Sequence, residues 1–366
     1  MEDVIARWEK KHPGLSVEWI DLPFSAIQQK LIAAIVSGEP PSVINLNTDM
    51  ARQLAESGIL LNLNEAVSRE ERGRYYPGFW SPHAFPWYVT TEVLIYNKAI
   101  FQQAGLDPNK PPKTWDELVQ DAKIIKEKTG LYGWFPAIKF IQELQEQGIP
   151  VVDSTGKKAL FDQPPAVAWL SMYVDLFQQG IIPRETLDLS KTYQQAVDLY
   201  QAGRLGILQT GPQFLNRVRN EAPSVYQETQ VAPLPLGKGK VISAAIMNLV
   251  IPKNAPHQKE AVDFALFLTN DENQLAFSHQ VLVFPSTIKA SEDSYFHAST
   301  GDSVLDTARR IGADELKIAR ELTPDLPNAK PRNEAIQAAL ENALLGRKSP
   351  GAALHDAAMM WDDLLK

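Results

Sequence analysis

Cysteine is missing altogether from this 366-residue chain, and with it go disulfides, thiolate metal sites and cysteine nucleophiles. The absence leaves the redox compartment open, since cysteine-free chains occur on both sides of a membrane. No run of about eighteen apolar residues occurs, so no segment reads as a membrane-spanning helix. The opening residues Met1–Gly14 are charged and hold no apolar signal-peptide core. Basic charge is short: 36 Lys and Arg stand against 44 Asp and Glu, a net charge of −8. A nucleic-acid surface needs the opposite balance, and an acidic chain favours a neutral ligand over an anionic one. The G-x-S-x-G, P-loop and dinucleotide glycine patterns are also missing. The six histidines (His12, His83, His257, His279, His297 and His355) include no H-E-x-x-H spacing. No catalytic residue, metal ligand or cofactor is therefore nominated.

What is present is ordinary globular material, 44% apolar and 22% charged. The length exceeds an average single core and suits two lobes. Strands and helices alternate at the start. Residues 2–11 read as a helix with Val4, Ile5 and Trp8 on one face, ended by Pro13-Gly14. Leu15–Ile20 alternates like a strand, Ile27–Val36 reads as a helix, Ser42–Asn47 as a short buried strand, and Met50–Ser57 as a helix stopped by Gly58. Such alternation predicts βαβ units around a mostly parallel sheet. The middle is helical, at about 115–128, 138–147, 165–179 and 191–202, with strands at Leu205–Gln209 and Thr229–Ala232. A β-type run follows at Ser243–Pro252, then helices at Ala261–Leu268 and Glu272–Ser278, an extended Val281–Pro285, and helical sequence from Ser303 onwards. The 26 prolines sit at element ends and gather into no linker.

The stretch richest in information is Phe85-Pro-Trp-Tyr-Val-Thr-Thr-Glu-Val-Leu-Ile-Tyr-Asn-Lys98, followed by Pro111-Pro-Lys-Thr-Trp-Asp-Glu-Leu118. Aromatics open an apolar β-branched run, and Thr114 with Glu117 spells a helix-starting capping box. Other segments keep order with it: His12-Pro-Gly14, Ala34–Ser42, Asn45–Asp49 with Leu54–Gly58, Gly203–Phe214, Met247–Lys253 and Phe267–Phe277. Together, over more than 300 residues, they resemble the sugar-binding subunits of bacterial ABC importers, the extracellular solute-binding family that includes the maltose-binding proteins. The likeness leans towards the cyanobacterial-type binders of small glucosides and disaccharides.

The resemblance implies an α/β, two-lobed periplasmic-binding-protein fold (type II, Venus-flytrap), with discontinuous lobes around mostly parallel sheets. The expected lobes are 1–97 plus 249–297 and 98–248 plus 298–366, with crossings near 95–100, 246–251 and 297. The family's first strand, which precedes the helix at 2–11, is missing from this sequence, and the expectation is a natural chain that starts upstream. The family's hairpin before Pro86 is shortened to Pro82-His-Ala-Phe85.

For function, the resemblance implies capture by hinge closure and delivery to ABC permease subunits, with no nucleic acid. The protein would be a monomer, extracytoplasmic, with no catalysis. Implied ligand-binding residues are Asn47, Asp49, Trp87, Tyr88, Phe135, Gln213, Phe214, Met247, Asn248 and Asn333. Rings such as Trp87 and Tyr88 stack on the C–H faces of sugars, though two core aromatics would read the same. Asp49 can accept sugar hydroxyls or cap the helix at Met50. Met247 is a ligand wall or plain packing. Gln213 stands where many relatives carry an aromatic platform, which points to a small or polar ligand, with Phe214 as a substitute ring. Sucrose, trehalose, maltose and glucosylglycerol fit that description. Two rivals remain: a binder of a phosphorylated solute, served by Arg52, Arg217 or Arg332, and a two-carboxylate glycoside hydrolase.

Overall fold

The computed structural model describes all residues except 23–26, 28, 29, 32, 36 and 188–191. Its strands, in chain order, are β1 (Ile44–Asn47), β2 (Phe85–Thr90), β3 (Val93–Asn97), β4 (Tyr132–Phe135), β5 (Leu205–Thr210), β6 (Thr229–Pro233), β7 (Ile242–Ser243), β8 (Ala245–Val250), β9 (Phe284–Pro285) and β10 (Ala319–Arg320). Helices fill most of the remainder. The chain divides into two compact units, Met1–Val89 with Ala245–Ser294, and Thr90–Ala244 with Tyr295–Lys366. It therefore passes between them at Val89/Thr90, Ala244/Ala245 and Ser294/Tyr295. Strand β3, expected as a crossing, lies wholly in the second unit.

The first unit holds a four-stranded sheet in the order β1-β8-β2-β9. Its core gathers Ile5 and Trp8 from the first helix, Phe85 and Trp87 from β2, Leu249 and Ile251, and Phe264, Ala265 and Leu268 from helix Gln258–Leu268. A smaller cluster, with Leu46, Leu54, Leu60 and Val250, lies around β1 and helix Thr48–Glu56. The second unit holds a sheet in the order β4-β5-β3-β6 and a short β10–β7 pair. Its larger core combines helix Trp115–Thr129, helix Pro164–Gln178 and the last two helices, Ala329–Leu344 and Pro350–Leu364. Helix Trp115–Thr129 starts on the Thr114/Glu117 capping box read from the sequence and stops at Gly130, whose φ of 74° suits glycine.

Two expectations are corrected. The sheets are not mostly parallel: among the described residues β1–β8, β2–β9, β3–β5 and β3–β6 are antiparallel, while β4–β5 and β7–β10 are parallel. Strand–helix alternation makes successive strands parallel only where they are also sheet neighbours, as β4 and β5 are. Here β3 lies between β5 and β6, two strands that come much later in the chain. The second correction concerns Leu15–Ile20, which forms no strand, and Trp19 and Ile20 are exposed. The Val17 N–H donates to the Glu9 carboxylate (2.8 Å) and to no neighbouring strand; alternation alone makes no ladder. Of the helix expected over 27–36, positions 28, 29, 32 and 36 lie outside the described residues, and the others are helical. No helix among the described residues is long and apolar enough to cross a membrane.

Candidate functional site

In the first unit, β1 and β8 pair so that Asn47 faces Met247 and Leu46 faces Asn248. The chain leaves β1 straight into helix Thr48–Glu56, and the cap is Asn47, whose side chain accepts from Met50 N–H at 2.9 Å. Asp49 is thus not the cap. It sits half-buried in the first helical turn, where the helix dipole favours a carboxylate. Asn248 is buried and donates to Thr48 Oγ1 (3.2 Å) and the Ile246 carbonyl (3.1 Å). Met247 is half-buried. The structure therefore brings Asn47, Asp49, Met247 and Asn248 to one end of the β1–β8 pair.

Trp87 has a different setting. Its ring is 4% exposed and stacks on Phe277, with centroids 5.3 Å apart and planes 18° apart. Tyr88 meets it edge-on at 5.0 Å and is less buried. Burial raises the Tyr88 hydroxyl above its ordinary range, partly offset by a hydrogen bond from Asn45.

In the second unit the implied residues lie on three elements. Phe135 ends β4 opposite Leu208 and is fully buried. Gln213 precedes helix Phe214–Glu221 and folds its amide over Gly211, where a Cβ would collide with it. Phe214 is half-buried, and Asn333 is exposed on helix Ala329–Leu344.

A recess of about 20 Å³ opens elsewhere in this unit, lined by Glu92, Ala137, Lys139, Gln142, Glu143, Glu146 and Gln209 and by the 234–243 loop. Such a volume admits one water-sized group. Glu92, between β2 and β3, pairs with Lys139 Nζ at 2.8 Å and accepts from Gln209 Nε2 at 2.7 Å. Gln209 is 5% exposed, and its Oε1 has no hydrogen-bond partner. Lys139 stands just before helix Phe140–Glu146, which carries two more carboxylates inward. Glu143 accepts from Trp169 Nε1 (2.9 Å), Tyr173 Oη (3.0 Å) and Lys139 N–H (2.8 Å). Burial nonetheless pushes it up to about 7. Glu146 accepts from Ser243 N–H at 2.6 Å, and burial, with the charges of Glu143 and Glu92 nearby, pushes it up to about 8. The 234–243 loop is pressed onto the helix end, with Gly239 N–H donating to the Glu146 carbonyl at 2.8 Å. A side chain at Gly237 would strike that same carbonyl.

Sequence reading missed these residues. The signals were there, though faint: Glu92 is a lone carboxylate inside an apolar β run, and Gln209 an amide in a strand buried along its whole length. Glu143 lies on the same buried helix face as Phe140 and Leu144. Only the fold brings positions 92, 139–146, 209 and 234–243 together. The arrangement offers mostly acceptors, with one ammonium already matched to a carboxylate. Among the described residues, no cluster of three or more His, Cys, Asp or Glu is arranged to hold a metal ion.

Residues 1–275 match the family described as bacterial extracellular solute-binding protein. The whole chain superposes on a candidate oligosaccharide periplasmic-binding protein of Synechococcus sp. MITs9220, with a TM-score of 0.89 and 31% identity over 95% of that chain. It also superposes on an ABC transporter solute-binding protein of Thermotoga lettingae bound with α-D-tagatose, with a TM-score of 0.82, 24% identity and 95% of that chain covered; at that identity the likeness speaks for the fold. The sn-glycerol-3-phosphate-binding periplasmic protein of Pectobacterium atrosepticum is 23% identical, over 98% of this chain and 86% of its own.

Proposed function

The chain belongs to the bacterial extracellular solute-binding protein family, and from that premise we propose that it is the capture subunit of an ABC-type importer for a small oligosaccharide or glucoside. Capture works by hinge closure: ligand favours a closed form through contacts that only this form makes. Taken by itself, the first unit offers Asn47, Asp49, Met247 and Asn248 as candidate contacts. The second, taken by itself, offers the Glu92–Lys139–Gln209 network. The loaded protein then docks, as a monomer outside the cytoplasm, on a membrane permease. It binds and releases its ligand unchanged.

The observation that carries this reading is the network itself. A carboxylate, an ammonium and an amide are held by one another around a recess for one small group, which is how hydroxyls are recognised. The oligosaccharide-binding neighbour supports the same ligand class. The glycerol-phosphate-binding relative keeps a phosphorylated polyol as the rival. Charge gives it no help: Lys139, the cation in the lining, is already paired with Glu92. Two of the arginines that would serve a phosphate are engaged within the second unit. Arg217 binds Asp198 and Glu221, and Arg332 binds the Leu326 and Pro327 carbonyls.

A thermal-shift screen against disaccharides, glucosylglycerol and glycerol 3-phosphate decides between them. At about a hundred times its dissociation constant, a ligand adds about 2.7 kcal/mol. A shift with a glycoside that is recovered intact supports capture. A shift with glycerol 3-phosphate alone overturns the sugar assignment, and a cleaved glycoside overturns the claim that the ligand is unchanged.

A further inference from the structure

We infer that the recess in the second unit selects a sugar bearing an amino group, with the ammonium lodged among Glu92, Glu143, Glu146 and Gln209. This rests on the capture reading and names its ligand more narrowly. Four observations carry it. The lining sets three carboxyl groups against one cation, Lys139, and that cation is already matched to Glu92. Gln209 Oε1 is an acceptor in a side chain that is 5% exposed, and no donor among the described residues reaches it. The space open to the centre of a water-sized group is about 20 Å³, enough for one small polar group. The carboxyl groups form no cluster of three or more His, Cys, Asp or Glu suited to a metal ion among the described residues, and a donor-bearing organic group suits their acceptors. An ammonium offers three N–H donors to acceptors spread in this way, and it gains a charge interaction that a hydroxyl lacks.

Among the described residues, the lining adds no second cation. Glu143 faces Tyr173 and Trp169 from helix Pro164–Gln178. Glu315, from helix Ser303–Glu315, adds a further buried carboxyl that feels Glu92. Lys238 and Lys240 belong to the 234–243 loop but do not line the recess. Burial holds Glu143 at about 7 and Glu146 at about 8, so near neutrality these carboxyls carry protons. An arriving ammonium favours their charged forms, and they release protons. Binding of the amine is therefore coupled to proton release, which binding of a neutral sugar is not.

The test is titration calorimetry on the full chain at pH 6.5, in two buffers of different ionisation heat. Matched pairs are compared: glucosamine with glucose, galactosamine with galactose, and the β-1,4-linked glucosamine dimer with cellobiose. The expected result is at least one amine bound ten times more tightly than its hydroxyl partner, with a fraction of a proton to one proton released. Glu146→Gln is expected to cut that preference several-fold and to reduce the release. Should Glu146→Gln fail to fold, the paired ligands on the unaltered chain still decide. Hydroxyl sugars bound as tightly as the amines, or amines bound without proton release, overturn the inference while leaving sugar capture intact. Binding of glycerol 3-phosphate and none of the sugars overturns both.

Discussion

Glu143 shows what a single buried carboxyl does to the whole chain. It accepts three hydrogen bonds, yet desolvation outweighs them and its pKa stands at about 7 against an ordinary 4.5. Between those values the folded chain keeps a proton that the unfolded chain has lost. Stability therefore falls as the pH rises from about 4.5 to about 7 and is steady beyond it as far as this group is concerned. The loss amounts to at most about 3 kcal/mol. Glu143→Gln is expected to flatten that part of the curve, with urea midpoints at pH 5 and pH 7.5 closer together than in the unaltered chain; an equal fall in both would remove Glu143 as the cause. Trp87 is the opposite case, a residue singled out for ligand that the fold packs against Phe277. Trp87→Ala should cost about 3–5 kcal/mol, and Trp87→Phe much less. If Trp87→Ala melts like the parent but loses ligand, its ring is a sugar platform after all.

At the scale of elements, the clearest result is the dependence of the recess on one loop and one helix end. Gly237 lies so close to the Glu146 carbonyl that a methyl group cannot fit without moving backbone. Gly237→Ala is expected to cost about 1–3 kcal/mol, as overpacking does, and to weaken ligand binding together with stability. The same change with binding untouched would separate the recess from the ligand. This scale also shows how much the sequence disclosed. Capping, glycine stops and β-branched runs are local, and they placed β5, β6, β8 and the helix at Trp115–Thr129 within a residue or two. Pairing is not local. Leu15–Ile20 has the pattern of a strand without a ladder, and β3 has neighbours that no nearby sequence announces. The Glu92–Lys139–Gln209 network spans more than a hundred residues, so its parts were visible while their meeting was not. The end of the β1–β8 pair was easier to foresee, because Asn47, Met247 and Asn248 lie within strands of clear pattern and Asp49 follows β1 by two residues.

For the whole molecule, the discontinuous course of the chain decides when each unit can become stable. The second unit begins at Thr90 but takes its last segment from Tyr295–Lys366. That segment is not a surface addition. Helices Ala329–Leu344 and Pro350–Leu364 bury Ile336, Leu340, Leu344, Leu354 and Trp361 in the same core as Leu118, Trp134 and Leu170. At about 1.5–3 kcal/mol for each large buried side chain, these five contribute on the order of 10 kcal/mol. A domain's net stability is only about 5–15 kcal/mol, so the second unit should not survive without them. Arg332 and Trp361 bind the two helices further, since the Trp361 indole donates to the Arg332 carbonyl at 2.9 Å. A chain ending at residue 328 is therefore expected to lose the cooperative melting of the second unit and to be cut by protease within 90–244. The Glu92–Lys139–Gln209 recess should go with it, because β3 and β5 pack on that core. If the shortened chain still melts cooperatively at the parent temperature, the last two helices contribute far less than their burial implies, and the core of the second unit must be sought among residues 94–232 alone.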